Sequence, residues 1–429
     1  MSDSTRWMTT AQAAELLGVK PETVYAYVSR GVLSRHRGAD RRSSRFDRIE
    51  VERLAKRNRR GGRAGALEVV IDTELTLLDP EGALYYRGRD AIELARTASF
   101  EDVAELLWSG SAGSGAAGSG AAGSGSAGSG SAGSGSAGSD RGGAWRAGDA
   151  AVLVGRRAQE ALPASTRPID RVRVAVATLA AADPMRDDRR PAAVTATARA
   201  LVAGVVDCLP VRTPVPGSSI AERLWSRLAD RPPGTGEIRA LDAALILLAD
   251  HELAASTFAA RIAASVWADP YLVVLTALSA GGGVLHGASA SAVEGFLREA
   301  AESGDVPRLV GDRLRQGERL PGFGHAVYTG PDPRAEALLD LVARSGTQGQ
   351  VDETVGELIR VVGRHGGPRP NVDLALGALA VKAGLADGSG EVIFLLGRMA
   401  GVVAHALEEY AHRLRFRPRA LYTGSAPGA

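Results

Sequence analysis

From about residue 150 to residue 415, apolar side chains recur at intervals of three and four, in Ala- and Leu-rich stretches divided by short Gly/Pro breaks. That is the period of helices burying one face, and it predicts a mainly α fold. β signals are few. The best is Leu75–Arg87, LTLLDPEGALYYR, where a turn at Pro80–Gly82 joins two short strands. Near the start, Thr9–Val28 reads TTAQAAELLGVKPETVYAYV. Ala13, Leu16 and Leu17 keep helical spacing, Thr10 is a candidate N-cap, Gly18 breaks the helix and Pro21 opens a second one. Ala14, Leu17, Val24 and Val28 fill the angle between two short helices, as in a helix-turn-helix. The following GVLSRHRGADRRSSRF has the Gly31 turn and arginines of a wing, and Ile49–Lys56 is a candidate third helix. This stretch resembles the small winged helix-turn-helix of the mercury-resistance-regulator and excisionase type. Its competing reading is a helical hairpin that binds only protein.

Charge sharpens this division. Residues 1–60 hold 14 Lys/Arg against 7 Asp/Glu, a balance of +7 in a chain whose net charge is +2, so the remainder carries −5. A basic module on an acidic body points to an anionic partner for residues 1–60 alone, with DNA the candidate. Residues 109–139 are nearly pure Gly, Ser and Ala. Such a composition lacks the apolar surface to order itself, and it reads as an insertion in the second domain. It contains GSGAAG at Gly113–Gly118, a formal G-x-G-x-x-G match with no strand before it or helix after it, so it is no dinucleotide site. The single cysteine, Cys208, excludes an internal disulfide. The N-terminus lacks an apolar signal-peptide core, and apolar runs such as Leu241–Leu248 are broken by Asp242 or end at Asp250 and His251. The expectation is a cytoplasmic protein with no membrane partner.

Three histidines stand in unusual settings: His251 in DHELAASTF, His286 in GGGVLHGAS and His325 in PGFGHAVY. Asp373 lies in the apolar RPNVDLALG. Singly each is weak, because a lone His near apolar residues is more often a satisfied core residue and an Asp after Asn can belong to a helix cap. Glycines around His286 and His325 permit close backbone approach to a ligand. A further cluster, His405, Glu408, Glu409 and His412, shares one helix face and has zinc-ligand spacing. The plainer reading, a polar helix face with a buried His405, is preferred, and no metal site is assigned.

Taken in order, these segments resemble the citrate synthase family from about residue 67 to 424. They are joined by TELTLLDPEGALYYRG from Thr73, DPRA at Asp332–Ala335, GRMAGVVAHALEEY from Gly397 and RPRALYTG from Arg417. The resemblance implies large and small helical domains over residues 65–429, the small one at about 290–395, preceded by the winged helix-turn-helix at 1–60. It also implies a homodimer that condenses acetyl-CoA or propionyl-CoA with oxaloacetate. By resemblance, Asp373 is the base, His286 stabilises the enolate and His325 polarises the ketone. His251, Arg334, Arg398 and, from the partner subunit, Arg417 bind the dicarboxylate. The acyl-CoA is a substrate and no cofactor is required. The chemistry suits these residues: a thioester methyl is a weak carbon acid needing a placed base, and arginine forks match carboxylates. The chain departs from the family at Ala254, where Asn is common, and at Ala288, Ser289 and Ala290 after the HG of His286 and Gly287. The alternative reading is a transcriptional regulator whose synthase-like body senses citrate, oxaloacetate or acyl-CoA. The presence of Asp373 and all three histidines favours the enzyme.

Loop closure depends only weakly on loop length. Replacing residues 110–139 by a few Gly/Ser residues is therefore expected to leave the thermal midpoint and the activity nearly unchanged, as scanning calorimetry and steady-state assays will show.

Overall fold

The computed structural model describes residues 7–17, 19, 24–25, 27–28, 33–37, 44–52, 70–79, 81–110, 144–283, 289–346, 349–413 and 415–417. The chain divides into two compact units, Met1–Asp72 and Thr73–Ala429.

In the first unit, β1 (Trp7–Thr9), β2 (His36–Arg37) and β3 (Ser44–Asp47) form an antiparallel sheet in the order β1-β3-β2. Helix α1 runs Thr10–Leu17. The cap lies one residue earlier than the sequence suggests. Thr9 Oγ1 accepts from the Gln12 N–H at 3.3 Å, and Gln12 Oε1 accepts from the Thr9 N–H at 2.9 Å. That reciprocal pair is a capping box, and Gln12 selects Thr9 over Thr10. A small core of Met8, Ala13, Ala14, Leu17, Val24, Leu33, Phe46 and Val51 holds the unit together. Residues 48–52 are helical, and β2 and β3 are the arms of the wing.

The second unit opens with a meander: β4 (Thr76–Asp79) pairs with β5 (Ala83–Tyr86), which pairs with the two-residue β6 (Arg89–Asp90). Helices then follow: α2 (Ala91–Thr97), α3 (Phe100–Ser109), α4 (Asp149–Glu160), α5 (Pro168–Ala182), α6 (Pro191–Cys208), α7 (Ile220–Leu228) and α8 (Glu237–Leu247). Beyond these come α9 (Ala255–Ser265), α10 (Pro270–Gly281), α11 (Ser289–Ser303), α12 (Val306–Arg315), α13 (Pro333–Arg344), α14 (Gln350–Arg364), α15 (Val372–Lys382) and α16 (Ser389–His412). Ser109 closes α3 and Gly110 is its left-handed C-cap. Most of the Gly/Ser/Ala stretch that follows lies outside the described residues. Helices α11, α13 and α14 pack on α15, while α9, α10 and α8 pack on α16. By length and composition α6 and α16 could each cross a bilayer, yet 89% of the apolar window of α16 is buried inside the protein. It is the central helix of the core.

Two glycines set how close α16 comes to the end of α8. A Cβ on Gly397 would meet Leu245 O at 2.7 Å, and one on Gly401 would meet Ala249 O and Asp250 Oδ1 at 2.4 Å. The Gly401 N–H instead donates to Ala249 O at 3.0 Å. Gly401→Ala is expected to cost about 3 kcal/mol, because backbone rather than a flexible side chain must move. Gly356→Ala, in α14 with open space at its Cβ, should be neutral or stabilise by about 0.5–1 kcal/mol. Urea unfolding midpoints of the two variants test the contrast.

Candidate functional site

The segment after α8 carries Asp250 and His251. Tyr86 of β5 sits beneath it, its hydroxyl donating to Ile246 O at 3.0 Å and to Asp250 O at 3.1 Å. Glu252 adopts a left-handed conformation, φ 57°, which turns the chain sharply into α9. Helix α9 begins at an N-cap, Ala254, that offers no side-chain acceptor.

His325 lies in the loop between α12 and α13. Gly322 and Gly324 have φ of +82° and +85°, and a Cβ on Gly322 would meet Leu374 Cβ at 2.9 Å. These glycines let the loop run against the strand-like entry to α15. Gly324 N–H donates to Arg369 O at 2.7 Å, Asn371 N–H to Gly322 O at 2.9 Å, and Asn371 Nδ2 to Gly324 O at 2.8 Å. Asn371 is also the N-cap of α15, accepting from the N–H groups of Asp373 and Leu374. The cap role is thus filled by Asn371, which leaves Asp373 as a half-buried second helical residue.

Asp332 ties the parts together. It caps α13 through the Arg334 N–H, accepts from Arg334 Nε at 3.0 Å and Nη2 at 2.8 Å, and accepts from the Val372 N–H at 3.0 Å. One buried carboxylate therefore fixes the Arg334 guanidinium and the start of the Asp373 helix. Arg334 Nη2 reaches to 3.3 Å from His325 Nε2. His325 Nδ1 accepts from the N–H groups of Val327 and Tyr328 at 3.0 and 3.2 Å, so the proton of the neutral ring belongs on Nε2. Arg334 Nη2 also only donates, so its approach to Nε2 is a contact between two donors that both face the pocket, not a hydrogen bond. The His251 and His325 rings meet edge to face, centroids 5.2 Å apart, and His251 Nε2 lies 3.2 Å from the Tyr328 hydroxyl.

Arg398 of α16 completes the electrostatics. It is buried, stacks over Phe394, and its Nε has no hydrogen-bond partner among the described residues. Burial, then Arg334, Arg398 and His325, holds His251 well below the ordinary imidazole value. Burial and Arg334 bring His325 down to about 4. Burial pushes the Tyr328 hydroxyl up to about 12. Burial opposes the Asp332 charge, but Arg334 outweighs it and the carboxyl stays below its usual range. Two neutral imidazoles beside two buried guanidinium groups make a pocket rich in hydrogen-bond donors.

His251, His325, Arg334 and Arg398 thus belong to one cluster, and Asp373 stands on a helix hydrogen-bonded to the His325 loop. His286 lies outside the described residues. Arg417 is exposed past the end of α16, where its neighbour Phe416 packs on Phe258. Sequence reasoning missed Tyr328 and Asp332, although PGFGHAVY and DPRA contain them. The zinc-like cluster is absorbed by structure: Arg261 takes Glu408, Glu409 and His405 at 2.9–3.0 Å, and no metal-holding group is found among the described residues. A cavity of about 560 Å³ lies elsewhere, lined by Trp267, Tyr410 and Arg413, and none of the site residues borders it.

A family model described as "Citrate synthase, C-terminal domain" matches residues 66–419. The chain belongs to the citrate synthase family. A helix-turn-helix domain model matches residues 7–59. The citrate synthase of Haloferax volcanii is 31% identical over 83% of this chain and 94% of its own length. The citrate/2-methylcitrate synthase of Bacillus subtilis is 28% identical over 83% of this chain and 94% of its own. Among solved structures, Thermoplasma acidophilum citrate synthase, in ternary complex with carboxymethyl coenzyme A and oxaloacetate, aligns with a TM-score of 0.65. It is 25% identical and covers 84% of this chain and 95% of that one. The protein is thus a citrate synthase-like enzyme with an N-terminal helix-turn-helix domain.

The depressed histidines make stability pH-dependent. Above pH 6.5 folded and unfolded chains are both neutral at these rings. Below it the unfolded chain binds protons that the folded one refuses until about pH 4 at His325, so stability falls as pH falls through that window. Replacing His325 by Gln should make the fall from pH 6.5 to 5 shallower than in wild type, as urea midpoints across that range will show.

Proposed function

We propose that the enzyme condenses acetyl-CoA or propionyl-CoA with oxaloacetate, releasing citrate or 2-methylcitrate and free CoA. The observation that carries this reading is the buried Arg398, whose Nε has no hydrogen-bond partner among the described residues, beside the Asp332-held Arg334 and two neutral histidines. That pocket suits a small dicarboxylate with a ketone to polarise. Arg334, Arg398 and His251 bind oxaloacetate, and His325 Nε2–H donates to its carbonyl oxygen. Asp373 takes a proton from the carbon next to the thioester carbonyl while His286 donates to that carbonyl, and the enolate carbon attacks the polarised ketone. Water then hydrolyses the citryl thioester. The chain's own groups suffice for each proton transfer, so no cofactor enters the scheme. The relatives named for citrate and 2-methylcitrate synthesis support the reaction class and leave both acyl groups in the proposal. The working form is a cytoplasmic homodimer whose sites each borrow Arg417 from the partner. The surplus positive charge of residues 1–60 and the helix-turn-helix match favour duplex DNA as a second partner, bound with steep salt dependence.

The test is CoA release by purified wild type and by two variants. Wild type should release thiol only when acyl-CoA and oxaloacetate are both present. Asp373→Ala and Arg417→Ala homodimers should each be nearly dead. Mixing them makes about half the dimers hybrid, each with one intact site, so about a quarter of wild-type activity should return. No return on mixing would assign Arg417 to its own chain. Citrate binding by an inactive wild type would hand the case to the sensor.

A further inference from the structure

Helix α16 carries Arg398, Gly401 and His405 at i, i+3 and i+7, one stripe along the helix. The bare Cα of Gly401 leaves room for the Asp250 carboxylate, which lies where a Cβ would stand. Asp250 is fully buried. Its Oδ2 accepts from Thr76 Oγ1 at 2.6 Å, from His405 Nε2 at 3.3 Å and from the Glu252 N–H at 3.2 Å. Among the described residues its Oδ1 is buried with no hydrogen-bond partner, and Arg398 Nε is in the same condition. Behind His405 stands Arg261, fully buried, whose Nη1 is 3.0 Å from His405 Nδ1. A guanidinium only donates, so Nδ1 accepts and Nε2 is left to donate to Asp250. Arg261 is itself held by Glu409 and Glu408 at 3.0 and 2.9 Å, and Glu408 is anchored by the Glu74 N–H and Thr73 Oγ1.

We propose, on the synthase reading of the site, that Asp250 and His405 are positioning residues for Arg398: they hold a counter-charge near it without letting that charge capture its donors. The three bonds to Oδ2 keep the carboxylate turned toward His405 and Thr76. A carboxylate free to rotate would form a direct ion pair with Arg398 and compete with the incoming dicarboxylate. A site without the carboxylate would leave a buried cation with no charge nearby. Burial works against ionisation of Asp250, but His405, Arg398 and Thr76 hold its carboxyl below the usual range, so the counter-charge is present at neutral pH. Arg334 illustrates the other arrangement, an arginine already clasped by its own aspartate.

The experiment uses the full chain and three variants. His405→Leu removes the Nε2–H donor and should raise the oxaloacetate KM by about tenfold, with kcat and the acyl-CoA KM within about threefold of wild type. His405→Gln, which keeps a donor, should recover most of the loss. Thr76→Val removes a bond to the same oxygen from β4, away from α16, and should shift the oxaloacetate KM in the same direction by a smaller factor. A purely structural role predicts a lower thermal midpoint and less active protein with an unchanged oxaloacetate KM, and that result in His405→Leu and Thr76→Val overturns the proposal. Should His405→Leu fail to fold, His405→Gln and Thr76→Val decide. Should wild type release no CoA, the synthase reading fails. Calorimetric titration with oxaloacetate then decides separately: unchanged affinity in these variants rejects the positioning role.

Discussion

Helix α16 passes the end of α8 with no side chain between the two backbones at Gly397 and Gly401, and the polar pocket depends on that approach. Any side chain at Gly401 would push α16 away from the turn that carries Asp250 and His251. Arg398 and His405 would leave with it, because they flank Gly401 on the same stripe. The approach is affordable because the surrounding core is dense: α16 is almost wholly buried, and α8, α9 and α10 pack on it. A long apolar helix in this position is a scaffold, and its few polar residues are the ones that matter for chemistry.

Much of the fold could be read from periodicity, and what escaped did so for physical reasons. The β4–β5 hairpin was readable because apolar runs flank Pro80–Gly82. The two-residue β6 was not, since two residues carry no period. Two adjacent threonines made the α1 cap ambiguous, and only the reach of Gln12 back to Thr9 decides it. The site residues His251, His325, Arg334 and Arg398 were reached through the order of their motifs, since no spacing places segments 50 to 150 residues apart in one pocket. The partners of those residues were not legible. Asp332 looks like an ordinary helix cap until its second oxygen is seen to hold the start of α15. His405, Glu408 and Glu409 mimic zinc ligands because spacing on one helix cannot reveal that Arg261, on α9, is waiting for all three.

The two buried arginines of the pocket, Arg334 and Arg398, solve the same electrostatic difficulty in opposite ways. Removing a partner from a buried ion pair is strongly destabilising, by about 3–5 kcal/mol, because a bare charge remains in a poorly polarisable interior. Arg334 avoids this through a two-point clasp by Asp332, which also fixes its direction. Arg398 keeps its counter-charge at one remove. The first arrangement gives precision and the second gives available donors. A pocket that must both orient and capture a dianion has use for each.

The same logic extends to the start of α9. Ala254 gives that helix no side-chain cap, where Asn or Ser would stabilise it by about 1 kcal/mol. Three residues later Thr257 Oγ1 is buried without a hydrogen-bond partner among the described residues. The turn carrying His251 is therefore followed by a helix whose first turn is under-satisfied, while Arg398 on α16 has an orphaned donor of its own. Selection for stability alone would have filled both, since caps and paired charges are among the commonest routes to a more stable protein. Their coexistence with a pocket rich in donors fits the proposed dicarboxylate, which brings acceptors. Binding a dicarboxylate that accepts from such donors offsets part of what leaving them unpaired costs.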